Sequence, residues 1–146
     1  MKQNNQSGRS MIEMLAVLMI IGVLTVGAVT GLSQAVDKYK AEKIHSDVQY
    51  INQEVANLYS WMRNYPSVAD MNRLCNNDVF PDGCDSSNVA ANPYGGQYAI
   101  SFDKGQMIIK VDGLPDEVCK DLTLREWSYV AETPSCSSGT LTVKFY

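Results

Sequence analysis

Glu13-Met14-Leu15-Ala16-Val17-Leu18-Met19-Ile20-Ile21-Gly22-Val23-Leu24 opens the longest uncharged run of the chain; from Met14 to Val36 there is no Asp, Glu, Lys or Arg. An α-helix rises about 1.5 Å per residue, so about 20 apolar residues cover the hydrocarbon thickness of a bilayer. The run is long enough to span one. Lys2 and Arg9 precede it and no acid appears before Glu13, so the positive-inside rule keeps the N-terminus cytoplasmic and exports the chain beyond Val36.

Working outward towards the C-terminus, the helical pattern continues but becomes one-sided. Leu32, Val36, Tyr39, Ile44, Val48, Ile51, Val55, Leu58 and Met62 recur mostly at steps of three and four, with Lys38, Lys40, Glu42, Lys43, Asp47 and Glu54 between them. That spacing predicts an amphipathic helix lying against something apolar. Ser10 as N-cap with Glu13 three residues later has the form of a capping box, and Pro66 is the expected stop. The reading is therefore one helix from Ser10 to Asn64, roughly 80 Å long at the standard rise. Globular helices average about 11 to 12 residues. The first half of such a helix finds no partner in so small a chain and must meet lipid or other copies of itself.

The chain thus divides into four segments: a polar leader over 1–8, an apolar helix over 9–36, its amphipathic continuation over 37–64 and a head over 65–146. In the head, Tyr65 to Asn92 reads as loop, and Asn92-Pro93-Tyr94-Gly95-Gly96 as a turn. Gln97–Phe102 and Gln106–Val111 form the expected hairpin through Lys104-Gly105. Pro115, Asp116 and Glu117 have the make-up of a helix start. Thr140 to Tyr146 alternates apolar and polar residues as a last strand does. The fold class expected is α+β, a long N-terminal helix packed by a small antiparallel sheet.

All four cysteines, Cys75, Cys84, Cys119 and Cys136, lie in the exported part, where an even count reads as two disulfides. Three pairings are possible; Cys75 with Cys84 and Cys119 with Cys136 are favoured because neighbours close the shorter loops. No C-x-x-C pair occurs and His45 is the single histidine, so zinc is not expected. Asp112, Asp116, Glu117 and Asp121 lack the spacing of an EF-hand loop. Neither metal nor cofactor is predicted. The net charge of −4 offers no basic face for nucleic acid, His45 reads as polar surface, and no acid–nucleophile constellation points to an enzyme.

The position of the small residue and the acid decides the rest. An ordinary secretory signal is cut after its apolar region, whereas here Gly8 precedes it, and a cut after Gly8 makes Glu13 the fifth residue of the mature chain. Gly8, Glu13 and the run Met14 to Leu24 resemble the class III signal of type IV prepilins and of the pseudopilins of type II secretion. The Asn92–Gly96 turn and Val111-Asp112-Gly113-Leu114 with Cys119 are similar to stretches of the pilin head, the latter in type IVb pilins, where the cysteine pair closes a C-terminal disulfide region. Arg9 departs from the apolar residue usual at that place, and the short leader is that of type IVa pilins.

The resemblance implies the pilin fold and a structural subunit, major or minor, of a bacterial type IV pilus serving adhesion, aggregation or motility. It implies cleavage between Gly8 and Arg9 by a prepilin peptidase, N-methylation of Arg9, and a Glu13 carboxylate that pairs with the N-terminal amine of a neighbouring subunit. The partners implied are other copies and other pilins in a helical filament, together with the inner-membrane assembly machinery. The precursor would sit in the inner membrane with its head periplasmic, and the assembled subunit would be extracellular. Gly22, Gly27 and Gly31 weaken the helix interior by up to about 1 kcal/mol each, permitting either close helix contacts or local loosening. The alternatives are a pseudopilin of a type II secretion system, a secreted binding domain with an ordinary signal cut after Ala28, and a membrane-anchored enzyme.

Overall fold

The computed structural model describes residues 9–146; the expected leader lies outside them. In chain order the elements are α1 (Arg9–Leu58), α2 (Met71–Asn76), β1 (Ala90–Ala91), β2 (Gln97–Asp103), β3 (Gln106–Val111), α3 (Asp116–Leu124), β4 (Ser135–Ser137) and β5 (Thr140–Phe145). The chain divides into two units, Met1–Lys38 and Tyr39–Tyr146. Helical backbone from Arg9 onward makes up the described part of the first.

In the second unit all strands pair antiparallel in the order β1-β2-β3-β5-β4. Register sets the core. Tyr98, Val111 and Leu141 stand opposite one another across β2, β3 and β5, as do Ile100, Ile109 and Val143, and Phe102, Met107 and Phe145. Because side chains alternate along a strand, these three rows share one face, and every member except the partly buried Phe102 is buried. A stripe of α1 continued by Tyr59 packs with them in one core: Ile44, Val48, Ile51, Val55 and Tyr59, at steps of three and four, are all buried, and so is Ala41 one turn before them. The opposite face carries Gln97, Ala99, Ser101 and Lys110, all exposed.

Helix α1 stops at Leu58, short of the expected Asn64. Ser60 N–H reaches Asn57 O at 3.2 Å and Met62 N–H reaches Tyr59 O at 2.9 Å, so the chain tightens into turns. The indole Nε1–H of Trp61 donates to Leu58 O at 3.1 Å and takes a carbonyl that a further helical turn would use. The terminator is this local hydrogen bonding, before Pro66 is reached.

One polar group sits inside the stripe. Asp47, assigned by sequence to the charged face, is buried; its carboxylate accepts the Tyr98 hydroxyl at 2.9 Å and a Lys43 ammonium hydrogen at 3.4 Å. Lys43 also donates to Asp82 at 2.8 Å, and that bond, followed by the pull of Asp47, raises its pKa despite partial desolvation. Burial, and then the Asp47 carboxylate, push the Tyr98 phenol far above its ordinary value near 10. The turn before β2 is knitted similarly. Buried Asn92 accepts Tyr94 N–H at 2.9 Å and Gly96 N–H at 3.2 Å, and donates to Asp112 O at 2.7 Å. Gly96 is required there, since a Cβ would land on the Asp112 carbonyl.

Ile109, in the central strand and 0% exposed, marks the core. Ile109→Ala should lower the unfolding free energy by about 2–5 kcal/mol, and Ser101→Ala on the open face by less than about 0.5 kcal/mol; denaturant titration of both variants checks the contrast. A second expectation concerns alkali. With the folded pKa of Tyr98 raised, the unfolded chain releases the phenolic proton first, so this contribution is intact below pH 10 and falls as pH rises past it. Melting curves through that range should show a steeper loss for the native chain than for Tyr98→Phe.

Candidate assembly surface

Apolar side chains gathered on a helix that nothing covers define the candidate surface. In the first unit every described side chain from Met11 to Val36 is exposed, including Ile12 at 75%, Met19 at 73% and Val23 at 76%. The mean hydropathy of the most apolar 18-residue window of α1 reaches 2.5, with none of that window buried. By length and composition this is the one helix among the described residues able to cross a membrane. Removing a large aliphatic side chain from water is worth about 1.5–3 kcal/mol, so the segment carries a large driving force towards lipid or towards other apolar helices.

Of the residues expected to act on this surface, Glu13 is exposed near the start of α1. Gly8 lies outside the described residues, and of Arg9 only the helical backbone is described. A Cβ added at Gly22, Gly27 or Gly31 would meet nothing within 4 Å, so no packing among the described residues requires glycine there. Between the first two, the Thr25 hydroxyl lies 2.9 Å from both Ile21 O and Gly22 O and donates back to the preceding turn. Such back-bonding often accompanies a bend in a helix.

In the head the cysteines are bonded Cys75 to Cys84 and Cys119 to Cys136, with Cα separations of 5.6 and 5.8 Å. The first bridge ties α2 to the loop after it, and the second ties α3 to β4. The acids considered for calcium have other employment: the Asp112 carboxylate accepts Gln97 N–H at 2.5 Å, Asp121 accepts Arg125 at 3.2 Å, and Asp116 and Glu117 occupy the first turn of α3. No cluster of three metal-ligating side chains occurs among the described residues.

The contacts that lock helix to head are less visible in the sequence. Arg125, after α3, donates to Glu42 and to Asp121, and the Glu42 bond chiefly raises its pKa. His45 is not simple surface: its ring meets Trp127 edge to face at 4.5 Å, and its Nε2 lies 2.9 Å from Glu126 O. A signal exists for Asp47, since it falls one turn from both Ile44 and Ile51 on the apolar stripe with Lys43 at i−4. None exists for the Arg125 and Trp127 contacts, which join residues about eighty positions apart.

Comparison with known proteins adds an independent line. A family model described as PilS N terminal matches residues 38–131. The toxin coregulated pilin of Vibrio cholerae is 30% identical over 130 residues, covering 83% of this chain and 58% of that protein. Its counterpart from Vibrio cholerae serotype O1 is 28% identical with the same coverage. The chain thus spans 58% of the length of the curated relatives it matches. No solved structure matches it. The family match falls almost wholly on the second unit, whereas the prepilin-like signal lies in the first; two separate stretches lead to the same family, and the chain belongs to the type IV pilins.

Proposed function

We propose that this chain is a filament subunit, cut after Gly8, held in the inner membrane by residues 9–36 with its head exported, and then assembled with other copies through that same helical surface. The observation that carries this reading is the contrast along one helix. The described side chains from Met11 to Val36 are exposed, while the stripe from Ala41 to Tyr59 is buried in the chain's own core. The second stretch has its partner; the first is apolar surface of the kind that lipid covers before assembly and neighbouring helices cover afterwards.

Glu13 then has a defined task. A carboxylate moved into an apolar bundle is costly to bury unless a cation meets it. Cleavage after Gly8 creates an ammonium on Arg9, and a neighbour displaced along the axis can bring that group to Glu13. Pairing them sets the stagger between subunits. Gly22, Gly27 and Gly31, which no contact among the described residues requires, let helices approach closely or loosen locally as subunits leave the bilayer.

Two measurements test the proposal. The mass of the chain recovered from cells with a prepilin peptidase should correspond to Arg9 as first residue; Val29 first would instead mean an ordinary secretory cut. Glu13→Ala should reduce sheared filament yield by tenfold or more, since about 1.4 kcal/mol lost per contact is a factor of about ten, while the level of membrane-bound precursor stays unchanged. Normal yield from that variant would remove Glu13 from the assembly step.

A further inference from the structure

Beside the buried stripe of α1, within the second unit, lies an open groove of about 730 Å³. This is within the range of roughly 300–1,000 Å³ typical of small-molecule sites. Its walls are four tyrosines, Tyr50, Tyr65, Tyr129 and Tyr146, together with the amides of Gln49, Asn52 and Gln53 and two serine hydroxyls. Among the described residues no charged side chain lines it, although 28 of the 146 residues are Lys, Arg, Asp or Glu (12 and 16). Tyr129 and Tyr146 are 82% and 73% exposed, so their rings add little to the core.

Two features hold these rings in place. Residues 129–131 are fastened along the outer side of β5: Ala131 N–H donates to Lys144 O at 2.8 Å, and Val130 bridges Phe145. At Tyr129 itself the backbone is left-handed, with φ of 62°, which costs an L-residue about 1–2 kcal/mol. Strain of this kind persists where the surroundings impose it and clusters at ligand-binding positions. Here it presents an aromatic face to solvent beside Gln49 and Gln53, whose amides offer both donors and acceptors.

We propose that this groove binds a neutral saccharide. The C–H faces of a sugar ring carry partial positive charge and suit the negative faces of tyrosine rings, and its hydroxyls suit amides and serines, each of which donates and accepts. An anionic ligand would find no cation in the described walls, and a cationic one no carboxylate side chain. This site does not depend on filament assembly.

Saturation-transfer NMR on the full chain in dodecylphosphocholine micelles, which contain no sugar, tests it with lactose and maltose as probes. Saturable transfer to the ring protons of at least one is expected, weakened about tenfold in Tyr129→Ala and in Gln53→Ala, as for the loss of about 1.4 kcal/mol. Both side chains are exposed, and unchanged melting curves would show that the variants fold. Absence of saturable transfer from both sugars, or equal transfer in both variants, would overturn the proposal. So would a loss of self-association in Tyr129→Ala without any sugar binding, which would assign the groove to a second copy.

Discussion

Apolar surface has to leave water, and this chain supplies its own means of doing so for only part of its first helix. From Ala41 to Tyr59 the helix turns a buried stripe into the core, where the rows of β2, β3 and β5 meet it. From Met11 to Val36 nothing among the described residues covers side chains that are at least as apolar. The sheet, the bridges and the buried polar bonds all serve the first arrangement. The second leaves apolar surface whose cover has to come from outside the described residues, and the proposed assembly rests on it.

Within the head, specificity is added to hydrophobicity by a few polar contacts. An apolar stripe alone tolerates slippage of the helix along the sheet, since one aliphatic row resembles the next. The bond from Tyr98 to Asp47 fixes one turn of α1 against one position of β2. Arg125 and Glu42 fix another point, and the His45 and Trp127 rings a third. Of these only the Tyr98–Asp47 pair is buried; such a pair contributes little net stability but penalises misalignment strongly, because a displaced partner leaves an unsatisfied group behind.

Much of this architecture is legible without coordinates. The strands β2, β3 and β5 announce themselves by alternation, α3 by Pro115 and its acids, and α1 by three- and four-residue spacing. Gly8 and Glu13, the residues that carry the resemblance to a prepilin signal, stand out because a glycine and then an acid are improbable at the edge of an apolar run. Other parts are illegible for physical reasons. Helix α2 has only six residues, too few for a periodicity, although Asp70 caps it by accepting Arg73 N–H at 3.2 Å. Strands β1 and β4 span two and three residues and exist because longer neighbours template them. The end of α1 reads too late in the sequence because Pro66 is a stronger signal than the indole of Trp61. His45 reads as surface because its partner lies in a distant loop.

The brevity of β1 and β4 has a bearing on how the sheet can meet another chain. An exposed sheet margin with free N–H and C=O groups invites another chain to extend it. Here β1 covers only Gln97 and Tyr98 of β2, so that Ala99 to Asp103 have no strand of the described residues beside them on that side, whereas on the other side β5 is bordered by β4 for its first half and by residues 129–131 for its second. Strand β4 is in turn stapled to α3 through Cys136. On the β5 side the margin is thus cut to the three residues of β4, and the longer open margin is that of β2 beyond Tyr98.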